Sequence, residues 1–530
     1  MGNRYGTEPE QFRHSKLIIA WGANILGTNV HLWPFIVEAR RNGAKFYTID
    51  PQKNRTGKAS DKHFFIYPGS DAALAFGMMH VIFRENLQDN DYIAKHTIGI
   101  EDLRTRAAAY RPERVEHLTG IPRDEVVQLA REYATTRPAV IRANYGVQRS
   151  ERGGLSCQAI ALLPAIMGSW KEVGGGMQVS TSNAFRVNVA ANQREDLQQI
   201  SLGRPARIVN MSLLGDALND LQDPPVKSLF VYCSNPAAIA PDQSAVRRGL
   251  SRPDLFTVVM EQLPTDTTDF ADIALPATTF LEHTDLYFAY GHYYLQMARP
   301  ALPAPGEAKS NVEVFRLLAA RMGFTDDCLR ESEDDMIRTL LNSDHPYIKG
   351  ITLEQLEERK FVRLNVSNEG EPFLPFAEGG FGTPEGKCDL RIGDYEPPVE
   401  SRLGDSQLRS RYPLELVSAK NDDSMNSTFG NRPGTDEQTA VLEMNAADAG
   451  PRGIADGDAV RVHNDRGSML LHARVNGRVP PGIVLSPAVR QPRKAPDKSN
   501  VNFLTSQRLT DMGGGPSFYN CLVQVERAGD

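Results

Sequence analysis

Two stretches of this chain, 211 residues apart, carry the same alternation of strand, loop and helix with the same kinds of polar residue at the same places. Lys16 to Gly22 (KLIIAWG) is a short apolar run that fits a buried strand, and a Gly/Asn loop, Gly22 to Asn29, follows it. His31 to Arg41 has helical spacing in Leu32, Phe35, Ile36 and Ala39 and stops at Asn42-Gly43. Phe46 to Asp50 is a second strand, ended by Pro51, and Lys62 to Tyr67 a third. After Pro68-Gly69 a helix runs to about Arg84, with Ser70 or Asp71 suited as its cap. The pattern returns as a strand at Ser228 to Cys233, a helix near Pro241 to Leu250, a strand at Leu255 to Glu261 and another at Ile273 to Pro276. Without any gap, Asn24 meets Asn235, Asp50 meets Glu261, Thr56 meets Thr267 and Asp61 meets Asp272. Four polar matches at loops and strand ends argue for an internal duplication; the alternative is a coincidence of composition. The βαβ order predicts open parallel sheets of Rossmann type.

Ligands of open α/β sheets bind beyond the carboxyl ends of the strands. There a loop after the first strand brings backbone N–H groups and a helix N-terminus to a phosphate, and a carboxylate at the end of the next strand, Asp50 or Glu261, can accept hydrogen bonds from ribose hydroxyls. Two such units predict two nucleotides, or one ligand with two similar halves. Neither unit has the G-x-G-x-x-G fingerprint or a Walker A sequence, since Gly22 to Gly27 reads G-A-N-I-L-G. That disfavours a nicotinamide dehydrogenase or a P-loop NTPase.

Between the units, Glu125 to Thr135 reads as a helix, Ala139 to Ala143 as a strand, and Gln158 to Ser169 as an apolar helix running into Gly174-Gly175-Gly176. The triple glycine is either a flexible turn or a close approach of backbone to a ligand. A boundary is expected near 400 to 412, where Glu396-Pro397-Pro398 is followed by a polar linker. From Leu414 onward, short strands (Leu414 to Ser418, Ala459 to His463, Ser468 to Val475, Gly482 to Ser486) alternate with turns such as Asn476-Gly477, which predicts a small closed barrel.

Composition narrows the partners. A chain of 530 residues with 59 basic and 66 acidic side chains has no polyanion-binding footprint, so no nucleic-acid partner is expected. No run approaches the roughly 18 apolar residues of a membrane span, and Met1 to Gly22 does not read as a signal peptide. The five cysteines, Cys157, Cys233, Cys328, Cys388 and Cys521, have no CxxC spacing and no nearby His partner, which excludes a locally encoded iron–sulfur or zinc motif. Each is expected to be a buried small hydrophobe.

In this order, the segments WGANILGTNVH (21 to 31), IDPQKNRT (49 to 56), PGSDAAL (68 to 74), NYGVQRSERGG (144 to 154), GSWKEVGGG (168 to 176), CSNP (233 to 236), TDTTDFADIALPATTFLEH (265 to 283), MNAADAGPRGIADGDAVRVHNDRG (444 to 467) and VNFLT (501 to 505) resemble the molybdopterin oxidoreductases of the dimethyl sulfoxide reductase superfamily, which includes formate dehydrogenases, nitrate reductases and polysulfide or thiosulfate reductases. The resemblance implies molybdenum or tungsten held by two molybdopterin guanine dinucleotides, one in each α/β unit. It also implies two-electron oxo or hydride transfer and a C-terminal six-stranded barrel of double-psi type that binds the dinucleotides. The implied units are residues 14–177, residues 178–405 (with or without 1–13), and residues 411–530. Trp21, Gly22, Ala23, Asn24 and Thr28 would line the first cofactor half. Asp50 and Pro51 would meet its ribose or phosphate, and Gly69, Ser70 and Asp71 its guanine, with Asp71 able to accept from both guanine N1–H and the 2-amino group. A plain helix cap is the competing role for Asp71. Asn144 and Gln148 resemble residues near the pterin. Asn235, Glu261, Gln262 and Asp266 would serve the second dinucleotide, with His283 and Asn311 as looser matches. Ser418, Lys420, Asn421 and Ser427, within SAKNDDSMNS (418 to 427), would cross the pterins, and Asn502 and Tyr519 would close the site.

Members of the family usually carry, ahead of the segment that begins here, clustered cysteines for an iron–sulfur cluster and the residue that ligates the metal. Neither is in these 530 residues, so the catalytic residue stays unknown. The chain is expected to be a fragment of a longer enzyme, one part of a split enzyme working with an electron-transfer subunit, or a catalytically silent dinucleotide-binding subunit. An iron–sulfur cluster is expected only with an upstream segment. Neither substrate nor compartment follows from the sequence.

Overall fold

A computed structural model describes residues 1–421 and 423–529. The first α/β unit is a five-stranded parallel sheet of β1 (Leu17–Trp21), β2 (Lys45–Ile49), β3 (Lys62–Phe64), β4 (Ala139–Ala143) and β5 (Gly176–Gln178), in the order β3-β2-β1-β4-β5. Its helices are α1 (Ile25–Thr28), α2 (Trp33–Arg41), α3 (Asp71–Arg84), α4 (Arg123–Thr135) and α5 (Gly153–Ile166). Strand β1 is an unbroken apolar run because both of its faces are covered. Leu17, Ile19 and Trp21 pack with Leu74, Met78 and Ile160, while Ile18 and Ala20 pack with Ile36, Ala39 and Phe46.

The second unit repeats half of this. Strands β6 (Ser228–Tyr232), β7 (Phe256–Glu261) and β8 (Ile273–Pro276) form a parallel sheet in the order β6-β7-β8. The register is that of the first sheet displaced by 211 residues: Leu17↔Lys45 recurs as Ser228↔Phe256, and Tyr47↔Lys62 as Val258↔Ile273. The strand-to-helix turn recurs as well, with α6 (Pro236–Ile239) in the place of α1 and α7 (Gln243–Leu250) beyond it.

The chain after this sheet builds a separate core, in which Tyr293, Leu295, Ile337, Leu356 and Phe373 lie under an antiparallel sheet of 285–287, 294–298 and 361–363. It then returns to the first unit, where Phe376, Phe381, Cys388, Leu390 and Tyr395 join the main core. The barrel closes from β9 (Leu414–Val417), β10 (Val441–Met444), β11 (Ala459–Asn464), β12 (Gly467–Val475), β13 (Ile483–Leu485) and β14 (Leu522–Arg527), in the order β9-β13-β10-β12-β11-β14. Two pairs are parallel (β9 with β13, β10 with β12) and the other four are antiparallel. Among the described residues, no helix is long and apolar enough to cross a membrane.

Several local expectations change. The triple glycine is packed against neighbouring backbone and side chains. Gly174 and Gly176 have positive φ, and a Cβ on Gly174, Gly175 or Gly176 would fall 2.3–2.9 Å from His14, Ser169 or Trp170 atoms, so the segment is packed against its own chain. Ser70 occupies the N-cap position of α3 without capping it, because its hydroxyl donates to the Tyr67 carbonyl. Of the cysteines, Cys388 and Cys521 are buried as expected, Cys157 and Cys328 are half-buried, and Cys233 is exposed.

Candidate functional site

The matched polar pairs are matched hydrogen bonds. In the first unit the Thr56 hydroxyl donates to Asn24 Oδ1 (2.9 Å) and accepts from the Leu26 N–H (3.0 Å). In the second, Thr267 donates to Asn235 Oδ1 (2.7 Å) and accepts from the Ala237 N–H (3.1 Å). The Asp61 carboxylate accepts from the Phe46 N–H at 2.8 Å, and Asp272 accepts from the Thr257 N–H at 2.7 Å. Each Asn–Thr pair pins the loop after the first strand to the loop after the second, at the carboxyl edge of its sheet. The helix that follows the first strand is one turn long in both units, so the loop itself, and not a helix dipole, shapes this edge.

In the first unit this edge opens into a cavity of about 1270 Å3, larger than the roughly 300–1,000 Å3 of an ordinary small-ligand pocket. Gly22, Asn24, Thr28, Asp50, Pro51, Gly69, Asp71, Asn144, Lys420 and Tyr519, all among the residues expected from the sequence to meet a cofactor, line it. Trp21, Ala23 and Ser70 lie buried beneath that lining. Trp21 Nε1 donates to Asp71 Oδ1 (2.8 Å), so a buried indole orients this carboxylate. Burial pushes Asp71 up to about 6, against the pull of the Trp21 bond. Burial and the nearby Asp71 push Asp50 up to about 7, although the Gln52 N–H (3.0 Å), Asn54 and Arg478 all favour its ionised form. Among the described residues neither carboxyl has an ion-pair partner, and both are pushed towards the neutral form, as is common at ligand sites. Lys420, Arg149 and Arg432 line the same cavity. Burial and the charge of Arg149 push the Lys420 ammonium down to about 8. The cavity thus carries both cationic and acidic side chains, as an ester of phosphate with a donor-rich base requires.

Unpartnered buried atoms mark where a ligand would complete the protein. Among the described residues, Asn144 Oδ1, Asn421 Nδ2 and Ser424 Oγ in or beside the cavity have no hydrogen-bond partner, and neither have Asn235 Nδ2 and Asp266 Oδ2 in the second unit. Buried polar groups are seldom left so in a complete structure, and this donor and acceptor set fits a guanine dinucleotide.

Other expected residues fall elsewhere. Gln148 is exposed and outside the lining, where Arg149 and Tyr145 stand instead. Ser427 is half-exposed and Ser424 takes its place; Asp422, within the same stretch, lies outside the described residues. The Asn502 amide donates to the Ala238 carbonyl (2.9 Å), so Asn502 ties the barrel to the second unit. Asn235, Glu261, Gln262, Asp266, His283 and Asn311 do not line the cavity but gather at the carboxyl edge of the second sheet. There Gln262 Nε2 donates to the Thr278 carbonyl (3.1 Å), Thr278 Oγ1 meets His283 Nδ1 (2.9 Å), and Asn311 Nδ2 donates to Cys233 Sγ (3.0 Å). Asp266 accepts from the Arg493 N–H (2.6 Å), and burial raises its carboxyl above the ordinary range. The sequence reading missed Gln52, Asn54, Tyr145, Arg149, Ser424 and Arg432, although Gln52 and Asn54 stand inside the quoted stretch IDPQKNRT. Among the described residues, no group of three or more His, Cys, Asp or Glu side chains could hold a metal ion.

The model of the Molybdopterin oxidoreductase family matches residues 2–321, and that of the Molydopterin dinucleotide binding domain matches residues 414–522. The chain belongs to the molybdopterin oxidoreductases of the dimethyl sulfoxide reductase superfamily. As a member of that family it is an oxidoreductase body with a molybdopterin dinucleotide-binding domain. It is 40% identical to the probable oxidoreductase YoaE of Bacillus subtilis over 99% of this chain and 77% of that protein. It is 27% identical to the dimethyl sulfoxide reductase DmsA of Escherichia coli, and 25% identical to formate dehydrogenase H of the same organism, each over 98% of this chain and 73% of the relative. Among solved structures, acetylene hydratase from Pelobacter acetylenicus shares the fold, with a TM-score of 0.80 and 20% identity over 98% of this chain and 81% of that one.

Proposed function

We propose that this molybdopterin oxidoreductase holds molybdenum or tungsten between two molybdopterin guanine dinucleotides, one per α/β unit, and carries out two-electron oxo or hydride transfer of the formate dehydrogenase, nitrate reductase or polysulfide reductase kind. The observation that carries the proposal is the doubled Asn–Thr clamp, at Asn24–Thr56 and Asn235–Thr267, with unpartnered buried polar atoms beside both copies. The bound metal would supply the redox step. The protein's part is to hold the nucleotides: Asp50 accepts from ribose, Asp71 and Asp266 accept from guanine, Lys420 and Arg149 face phosphate, and Asn144 and Tyr519 border the pterin. We assign residues 14–177, 178–405 and 411–530 to the first unit, the second unit and the barrel, with 376–395 packing back across the first boundary. An electron-transfer subunit would take electrons to or from the cofactor.

Metal analysis and acid release of GMP from the purified holoprotein test this reading. Molybdenum or tungsten together with about two GMP per metal is the expected result; neither metal nor GMP would falsify it. A second reading, a catalytically silent dinucleotide-binding subunit, is favoured by the scattered cysteines, of which none lines the cavity. Turnover of formate, nitrate or a sulfur oxyanion by this chain with an artificial electron carrier would eliminate it. An iron–sulfur cluster would be revealed by iron and acid-labile sulfide in the same preparation.

A further inference from the structure

The barrel reaches the nucleotide-facing loop of each α/β unit through one arginine. Arg478, between β12 and β13, donates from Nη2 to Gln52 Oε1 (3.1 Å) and accepts the Lys53 N–H at its carbonyl (2.8 Å). Its Nη1 donates to Glu443 Oε1 (3.0 Å), a carboxylate buried in the barrel wall. On the second unit, Arg493 donates its N–H to Asp266 and its Nη1 to the Thr265 carbonyl (3.2 Å). With the 211-residue offset, 265 and 266 correspond to 54 and 55, so both arginines land on the same stretch of the repeated unit.

Gln52 is not a neutral anchor. Its N–H donates to Asp50 Oδ1, Asn54 Nδ2 donates to Asp50 Oδ2 (3.3 Å), and Asp50, Gln52 and Asn54 all line the cavity. A continuous chain of polar contacts therefore runs from Glu443 through Arg478 and Gln52 to Asp50. We propose that Arg478 is a positioning residue for the first nucleotide: from the barrel it fixes the loop Asp50–Asn54 and holds the Asp50 carboxylate where it can accept ribose hydroxyls. This rests on the proposed function, since it takes the cavity to be a nucleotide site.

The charged surroundings of Asp50 give the idea a signature that simple scaffolding lacks. Asp71, on α3, pushes the Asp50 carboxyl towards its neutral form, and Arg478 is the cation that opposes it; His63, on β3, contacts the Asp50 backbone, and Lys53 stands beside His63. Without Arg478, Asp50 is protonated over a wider range around neutrality and can no longer accept as a carboxylate. Each unit by which its pKa rises reduces the ionised fraction about tenfold below that pKa.

The test counts GMP per chain in cofactor-loaded protein desalted at pH 6, 7 and 9. Wild type should retain GMP at pH 7 and 9 and lose it faster at pH 6, where Asp50, at about 7, is largely protonated. Arg478→Gln should lose it about tenfold faster at pH 7 and recover at pH 9, Arg478→Lys should retain most of it, and Arg474→Gln, which removes an exposed partner of Glu443 that does not reach Gln52, should behave as wild type. If Arg478→Gln does not fold, Gln52→Met, which leaves the Arg478–Glu443 pair intact, should lose GMP in the same direction. Wild-type retention by Arg478→Gln or by Gln52→Met overturns the inference, as does a loss that is equal at all three pH values and not restored by lysine. Absence of GMP from the wild type overturns the proposed function and this inference with it, whereas GMP in the wild type with an indifferent Arg478→Gln overturns the inference alone.

Discussion

In the first α/β unit the central strand is buried along its whole length, with helices over both faces and two further strands beyond it. In the second, the equivalent strand stands at the sheet edge, and Tyr232, Phe256 and Ile273 are each 45–49% exposed. Yet register, Asn–Thr clamp and aspartate-to-backbone bond are the same in both. Burial of the sheet therefore does not account for what the copies share. The shared clamp lies at the carboxyl edge, where ligands of open α/β sheets bind, the shared aspartate bond lies at the amino ends of the second and third strands, and what differs is the apolar packing that sets the stability of each unit.

The largest difference expected between the copies is electrostatic. Asp50 sits at about 7 in the folded chain against an ordinary value near 3.8. The folded state thus binds more protons than the unfolded one between those values, and stability of the cofactor-free chain falls as pH rises through that window. The cost at pH 8 is on the order of 2–4 kcal/mol. Asp50→Asn should remove most of that slope, raising the melting temperature at pH 8 while leaving it nearly unchanged at pH 4. Glu261, which occupies the equivalent position, is raised by burial but is less enclosed, so Glu261→Gln should flatten the profile less. Thermal melts from pH 4 to 8 decide this, and equal effects of the two substitutions would break the contrast.

A smaller effect should be equal in the two units. Thr56→Val and Thr267→Val each leave a loop N–H without its acceptor and remove the hydroxyl that donates to the Asn Oδ1, Asn235 Oδ1 keeping the Thr267 N–H (3.1 Å), at a cost of about 1–3 kcal/mol apiece. Because both threonines are fully buried, the two losses in denaturant titrations should agree within about 0.5 kcal/mol. A negligible loss for Thr267→Val would mean that the clamp in the second unit is maintained by something other than its own hydrogen bonds.

That clamp was legible in the sequence because polar residues at strand ends keep their spacing when the apolar residues around them drift. Asn24/Asn235 and Thr56/Thr267 could be aligned without knowing what they touch. The barrel was half legible: β11 and β12 are bracketed by strong turns, whereas β10 and β14 (VLEM and LVQVER) lack turn residues and are defined by partners far along the chain. The second half of the site was least legible. Its expected residues gather at one sheet edge, but whether Asn502 faces a ligand or the Ala238 carbonyl depends on how the barrel docks, which local spacing does not encode. Arg478 was invisible for the same reason, since its partners are more than 400 residues away at Gln52 and 35 away at Glu443.

The smallest predicted effect concerns a loop position where the copies share a left-handed backbone conformation but not a side chain. Gly22 has φ +55° and Cys233, its counterpart, φ +52°. Glycine takes this left-handed conformation freely, whereas a side chain costs roughly 1–2 kcal/mol there. In the first unit the glycine is also sterically required, because a Cβ would lie 2.9 Å from the Val147 backbone N. In the second unit no such neighbour stops the side chain, which reaches solvent and accepts from Asn311 Nδ2. Cys233→Gly should therefore stabilise the chain by about 0.5–1 kcal/mol, the relief of strain being partly offset by the greater freedom of glycine in the unfolded chain. Gly22→Ala should destabilise it by more than that amount. Paired denaturant titrations read both signs. If Cys233→Gly instead destabilised the chain, the thiol's contact with Asn311 would outweigh the strain, and the second loop would depend on its side chain where the first depends on having none.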